Sequence, residues 1–309
     1  MSIRETAPTG QAALALHHLL SRNGLIVGGA LLALVLMAWA WLLSQPHVPM
    51  ADMSGMDMPG MDMDAGPWSS TYLAAAFAMW SVMMVAMMLP SAAPMILLHA
   101  RIDRAGSESL RLAHSLLFVA AYVAVWTGFS VVAAASQALL LDSGLLSATT
   151  LAFGPKAYVP ALLLLAAAYE LTPAKRRCLE NCQSPLIFIH RYWKAGAAGA
   201  FSLGLRHGLY CVGCCWMLML LLFAGGVMNL AWIAPLTILA AAQRAAPPRW
   251  RLHLWTAALL VLMAGLSLLD TGPYISETDF PRFTKAFSRL EKWCPEEDSN
   301  LHDLAIAST

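Results

Sequence analysis

Long apolar blocks alternate with short polar ones along almost the whole chain. Gly24–Leu43 is a run of about twenty apolar residues, enough for a helix to cross a bilayer core of roughly 30 Å. Ser70–His99, Leu112–Leu141, Gly199–Gly225 and Leu252–Leu269 are blocks of the same kind. Two more, Ala157–Leu171 and Asn229–Gln243, are short, and a helix of the former's length reaches only about 22 Å. Together the blocks predict an all-α fold, a polytopic membrane helix bundle of about seven transmembrane helices. The polar stretches divide the chain into an N-terminal segment with the first span (1–44), an extracytoplasmic loop (45–69), a membrane bundle (70–270) and a polar C-terminal tail (271–309).

The polar positions also orient the bundle. Arg4 and Arg22 precede the first span. Arg101, Arg104 and Arg111 lie in one loop, Lys175, Arg176, Arg177, Arg191 and Lys194 in another, and Arg244, Arg249 and Arg251 in a third. All of these fall on one side, and the short loops opposite hold only Lys156. By the positive-inside bias that side is cytoplasmic, and the N-terminus with it. The short fourth block must then cross, or the Lys175–Arg177 cluster would face outward. Ala38-Trp39-Ala40 looks like a cleavage triplet, but the apolar run exceeds a usual signal core, so the first block is read as a retained span. Arg206 enters the fifth span, where a charge needs a partner or must snorkel; Glu170, near the same interface, is the expected partner. His99 and His114 near the cytoplasmic ends read as satisfied polar residues.

Composition agrees with a membrane setting. The chain is 59% hydrophobic and 12% charged, against about 25% charged in soluble domains. A net charge of +1 gives no expectation of nucleic acid. Tryptophan (11) suits the membrane interface, but 18 methionines do not follow from lipid.

Many of those methionines are clustered. The outer loop carries the unit Asp-Met-x-Gly-Met at 52–56 and again at 57–61, then decays, placing Met53, Met56, Met58, Met61 and Met63 in a stretch whose Gly, Pro and Asp forbid a helix. Thioethers are soft donors that select Cu(I) over hard cations, so the loop reads as a collector, against the alternative of a plain linker. In the second span Met79, Met83 and Met87 are spaced by four and share a face, with Met84 and Met88 on a neighbouring stripe. They read as a relay or as core filling. Pro90 and Pro94 should kink this helix, and each frees a backbone carbonyl that protein or water must satisfy.

The thiols are more pointed. Five of the six cysteines lie between 178 and 215. On a helix, His207, Cys211 and Cys215 fall at i, i+4 and i+8 with Cys214 beside them, so one face carries an imidazole and three sulfurs. Cys178 and Cys182, four apart, precede them in the segment read as a cytoplasmic loop. The spacing predicts a soft-metal site; zinc also accepts Cys and His, but the methionines favour copper. Cys211-x-x-Cys214 leaves a thiol–disulfide enzyme open, without the βαβ context that usually accompanies one. Cys294 stands alone in the tail.

At these residues the sequence resembles a bacterial family of predicted metal-binding integral membrane proteins, catalogued as a domain of unknown function. The motifs that carry the resemblance are Met83-Met84-Val85-Ala86-Met87-Met88-Leu89-Pro90, Tyr169-Glu170-Leu171-Thr172-Pro173-Ala174-Lys175 with Cys178 and Cys182, and Gly204-Leu205-Arg206-His207-Gly208-Leu209-Tyr210-Cys211 with Gly213-Cys214-Cys215-Trp216. It spans roughly residues 70–270. Members carry Glu-Lys near the end of the sixth span, where this chain has Gln243-Arg244. The resemblance implies a polytopic helical protein that binds a metal, and no reaction.

The function expected is therefore transport or delivery of copper, as Cu(I), across a bacterial inner (cytoplasmic) membrane. A membrane thiol–disulfide redox enzyme and a metal-braced assembly subunit of a membrane cuproenzyme are the alternatives. The expected partners are the lipid bilayer and a copper chaperone or cuproenzyme, and a homo-oligomer is left open.

Overall fold

The computed structural model describes residues 22–44 and 66–271, apart from 104, 149, 155 and 156. The helices are α1 (Arg22–Ser44), α2 (Ser70–Ile102), α3 (Glu108–Asp142), α4 (Tyr158–Glu170), α5 (Pro173–Gln183), α6 (Pro185–Tyr192), α7 (Gly196–Leu220), α8 (Leu222–Gly225), α9 (Leu230–Ala245) and α10 (Leu252–Thr271). Among the described residues, extended pairing is confined to an isolated bridge between Leu146 and Phe153. Five helical runs are long and apolar enough to cross a membrane: α1, α2, α3, α10 and the run Gly196–Gly225 formed by α7 and α8. The two short blocks are helices too, α4 with 13 residues and α9 with 16.

Local chemistry starts these helices where it does. Ser69 and Ser107 accept the orphan N–H groups of Tyr72 and Leu110 at the N-termini of α2 and α3. Asn229 does the same for Ala231 on α9. Within α2, Pro90 cannot donate to the Ala86 carbonyl. The indole N–H of Trp39 on α1 donates to that oxygen at 3.2 Å, replacing the missing backbone donor. The proline therefore ties α1 to α2 instead of ending the helix.

The bundle is apolar outside as well as inside. Leu32, Leu36, Met37 and Leu43 of α1 and Trp255, Leu262 and Leu269 of α10 are exposed, and Trp80, Met83, Met84, Met87, Met88, Phe118 and Trp126 fill the interior. Such an exterior fits a lipid surrounding.

α7 is the central helix, and α3 is its most extensive neighbour. Their crossing is close because two glycines lie four residues apart. A Cβ at Gly204 would sit 2.3 Å from the Phe118 carbonyl oxygen, and one at Gly208 2.9 Å from Val125 Cβ. This approach brings Tyr122 of α3 against the thiols of α7.

Three expectations are corrected. Residues 172–194 are not a loop but hold α5 and α6. Thr172 caps α5 by accepting the Lys175 N–H, Pro173 fits the first turn, and Ala174, Cys178, Leu179 and Cys182 turn one buried face toward the bundle. Glu170 pairs with Lys175, not with Arg206. The turn between α4 and α5 brings Lys175 back onto Glu170, whereas the guanidinium of Arg206 lies 4.8 Å over the Tyr192 ring. Finally, Lys175 and Arg244 are not solvated loop cations, being 0% and 7% exposed.

Candidate metal centre

Cys211, Cys214 and Cys215 on α7 are all turned into the core. The thiols of Cys214 and Cys215 both donate to the Cys211 carbonyl oxygen, at 3.2 and 2.9 Å, which fixes their rotamers. The Tyr122 hydroxyl stands 3.0 Å from Cys211 Sγ and donates to the Met88 carbonyl at 3.1 Å. Two further sulfurs approach from neighbouring helices. Cys182 Sγ of α5 lies 4.0 Å from Cys214 Sγ, and Met88 Sδ of α2 lies 3.8 Å from Cys215 Sγ. Cys182, Cys211, Cys214 and Cys215 are free, buried thiols. Cys178 is fully buried and disulfide-bonded, which removes it from the free set.

These separations suit a soft ion. With metal–thiolate bonds of about 2.3 Å, two sulfurs sharing an ion at tetrahedral to trigonal angles stand about 3.8–4.0 Å apart. Among the described residues no group of three or more His, Cys, Asp or Glu side chains could hold a metal ion. What converges is sulfur in pairs, and thiolate and thioether are soft donors.

Residue Arg244 of α9 points into the same cluster. Its Nη2 donates to Cys215 Sγ at 2.9 Å and to Met88 Sδ at 3.0 Å, and its Nη1 donates to Ser91 Oγ. Its Nε is buried without a hydrogen-bond partner. The neighbouring Gln243 faces a separate polar network. It accepts from Lys175 Nζ at 2.9 Å and donates to Glu170 Oε2 at 3.1 Å and Thr256 Oγ1 at 2.8 Å, closing a buried set around the Glu170–Lys175 ion pair.

Residues 77–267 match the family described as PpoB2, copper chaperone. The chain belongs to that family. No curated protein and no solved structure matches it. Membership makes the protein copper-related, narrowing the expected metal-binding family to one metal. Met88, Cys182, Cys211, Cys214, Cys215 and Arg244 all lie within the matched stretch.

The other residues singled out in the sequence divide clearly. His207 is 4% exposed and boxed by rings, stacked on Tyr122 with centroids 5.6 Å apart and edge-on to Phe188 at 5.5 Å. Its Nδ1 has no partner, and no described hydrogen bond joins it to the thiols. Met83, Met84 and Met87 are fully buried and Met79 partly so. Of the α2 methionines, Met88 has the described sulfur contact to the centre. Met53, Met56, Met58, Met61, Met63 and Cys294 lie outside the described residues. His114 bonds Asp103 at 2.7 Å, as a satisfied polar residue does. Tyr122 and Arg244 were missed as site residues. Nothing in the sequence marks Tyr122, but Arg244 closes an apolar block, where a charge needs a partner.

Proposed function

We propose that the chain is a membrane-embedded chaperone for Cu(I) that takes the ion from the outer methionine loop and passes it along the Met83, Met84, Met87 and Met88 side of α2 to the thiols of α7 and Cys182. Delivery to a cuproenzyme in or at a bacterial cytoplasmic membrane is the purpose read from this arrangement, with seven spans and a cytoplasmic N-terminus. The observation that carries the reading is the pairing of buried sulfurs, Cys182 with Cys214 and Met88 with Cys215, at 4.0 and 3.8 Å. Copper is the cargo here. The protein's part is to offer soft donors in a dry interior where hard cations find too few oxygen ligands.

The test is the metal content of purified protein loaded anaerobically with Cu(I), wild type against Cys182→Ser/Cys214→Ser. Copper retained by the wild type and lost from the variant supports the reading; equal retention sinks it. The approach of Cys182 to Cys214 also favours a thiol–disulfide reading. Thiol alkylation separates the two, because saturating Cu(I) should protect these cysteines, whereas full alkylation together with a catalytic mixed disulfide would identify a redox enzyme.

A further inference from the structure

The guanidinium of Arg244 occupies a place that a metal ion would contest. Met88 Sδ and Cys215 Sγ are 3.8 Å apart, and Arg244 Nη2 is 3.0 and 2.9 Å from them. One cationic group thus already bridges the sulfur pair, and its N–H groups use the lone pairs that copper would need. Whichever side of the sulfur–sulfur axis an ion approached from, it would meet Nη2 in contact or within short-range repulsion. The Cys182–Cys214 pair carries no such bridge among the described hydrogen bonds.

Arg244 is also poorly served by other partners. None of its described hydrogen bonds or ion pairs is to a carboxylate, although it is 7% exposed. With Nε unpartnered as well, the side chain is held by Ser91 and by two sulfurs. A buried arginine is costly without a counter-charge. Its neighbour Gln243 sits in the network that holds the nearby carboxylate, Glu170, and the lysine paired with it.

Resting on the copper-chaperone reading above, we infer that Arg244 is a built-in placeholder cation for Cu(I) at the Met88–Cys215 pair. Guanidinium and cuprous ion exclude each other there. Both carry a single positive charge, so they compete on equal electrostatic terms, whereas a divalent ion would bring excess charge into a low-dielectric interior. The pair is consequently a point of passage: arriving copper displaces the guanidinium, and the return of the guanidinium pushes copper on toward Cys182 and Cys214. Arg244 acts by competition and is not a ligand.

The test titrates full-length protein with Cu(I) against a chromophoric Cu(I) chelator, reading stoichiometry and affinity. Arg244→Gln should gain a further bound equivalent over the wild type, and adding Met88→Leu to that variant should abolish the gain. No gain, or a loss of copper, in folded Arg244→Gln overturns the inference. Should that variant fail to fold, Arg244→Lys decides, because an ammonium is a point donor that cannot fork across both sulfurs. It too should gain bound copper over the wild type, and no gain overturns the inference. A wild type that binds no Cu(I) would refute the function proposed above. The gain in Arg244→Gln would still report on this inference by itself.

Discussion

Replacing Gly204 by Ala tests whether the α3–α7 crossing sets the geometry of the thiols. The added Cβ would stand 2.3 Å from the Phe118 carbonyl oxygen and 2.9 Å from its carbonyl carbon and Cα. These are backbone atoms, so no side chain can rotate aside. Ordinary contact begins at 3.4 Å, so the helices must part locally by about 1 Å. Overpacking of this kind costs about 1–3 kcal/mol. Tyr122 lies one turn beyond Phe118 on α3, so its hydroxyl would retreat from Cys211 Sγ, now 3.0 Å away, and the hydrogen bond would be lost. Gly128 on the same helix is the control, because a Cβ there meets nothing within 4 Å. The assay is thermal unfolding of the detergent-solubilised protein, together with the rate of Cys211 alkylation. Gly204→Ala should melt earlier and alkylate faster than the wild type, and Gly128→Ala should do neither. A Gly204→Ala protein with wild-type melting and protection would refute the link between this crossing and the site.

Other expectations follow from single contacts. Lys175→Met leaves Glu170 buried without its cation and should cost about 3–5 kcal/mol, while Glu170→Gln/Lys175→Met should recover much of that loss; denaturant titration of the single and double variants measures both. Trp39→Phe keeps the ring but strips the Ala86 carbonyl of its donor, which should cost about 1–3 kcal/mol in the same titration.

The apolar blocks made the helices legible, because length and hydrophobicity are direct demands of a bilayer. Ser70–His99 became α2 with its start at the same residue, and the cysteine spacing on α7 correctly placed three thiols on a buried stretch. The segment after Thr172 was misread because Lys175-Arg176-Arg177 looks like a solvated loop. Thr172-Pro173 was an available helix start, and Ala174, Cys178 and Cys182 recur at intervals of four on one face. Lys175 escapes water because Glu170, across the α4–α5 turn, and Gln243, distant in sequence on α9, close around it. Arg244 is marked by closing an apolar block, but its sulfur partners come from α2 and α7 and cannot be read from the local sequence. His207 shared the thiol face by spacing, yet rings from α3 and α6 enclose it. Spacing along one helix says which residues share a face and leaves open which neighbour covers each part of it.

The most direct test of copper held by paired sulfurs is X-ray absorption at the copper edge on protein loaded with a single equivalent of Cu(I). The expected result is cuprous copper in a sulfur-only shell at about 2.3 Å, disrupted by Cys182→Ser/Cys214→Ser. A shell dominated by nitrogen or oxygen, or one indifferent to loss of Cys182 and Cys214, would contradict it.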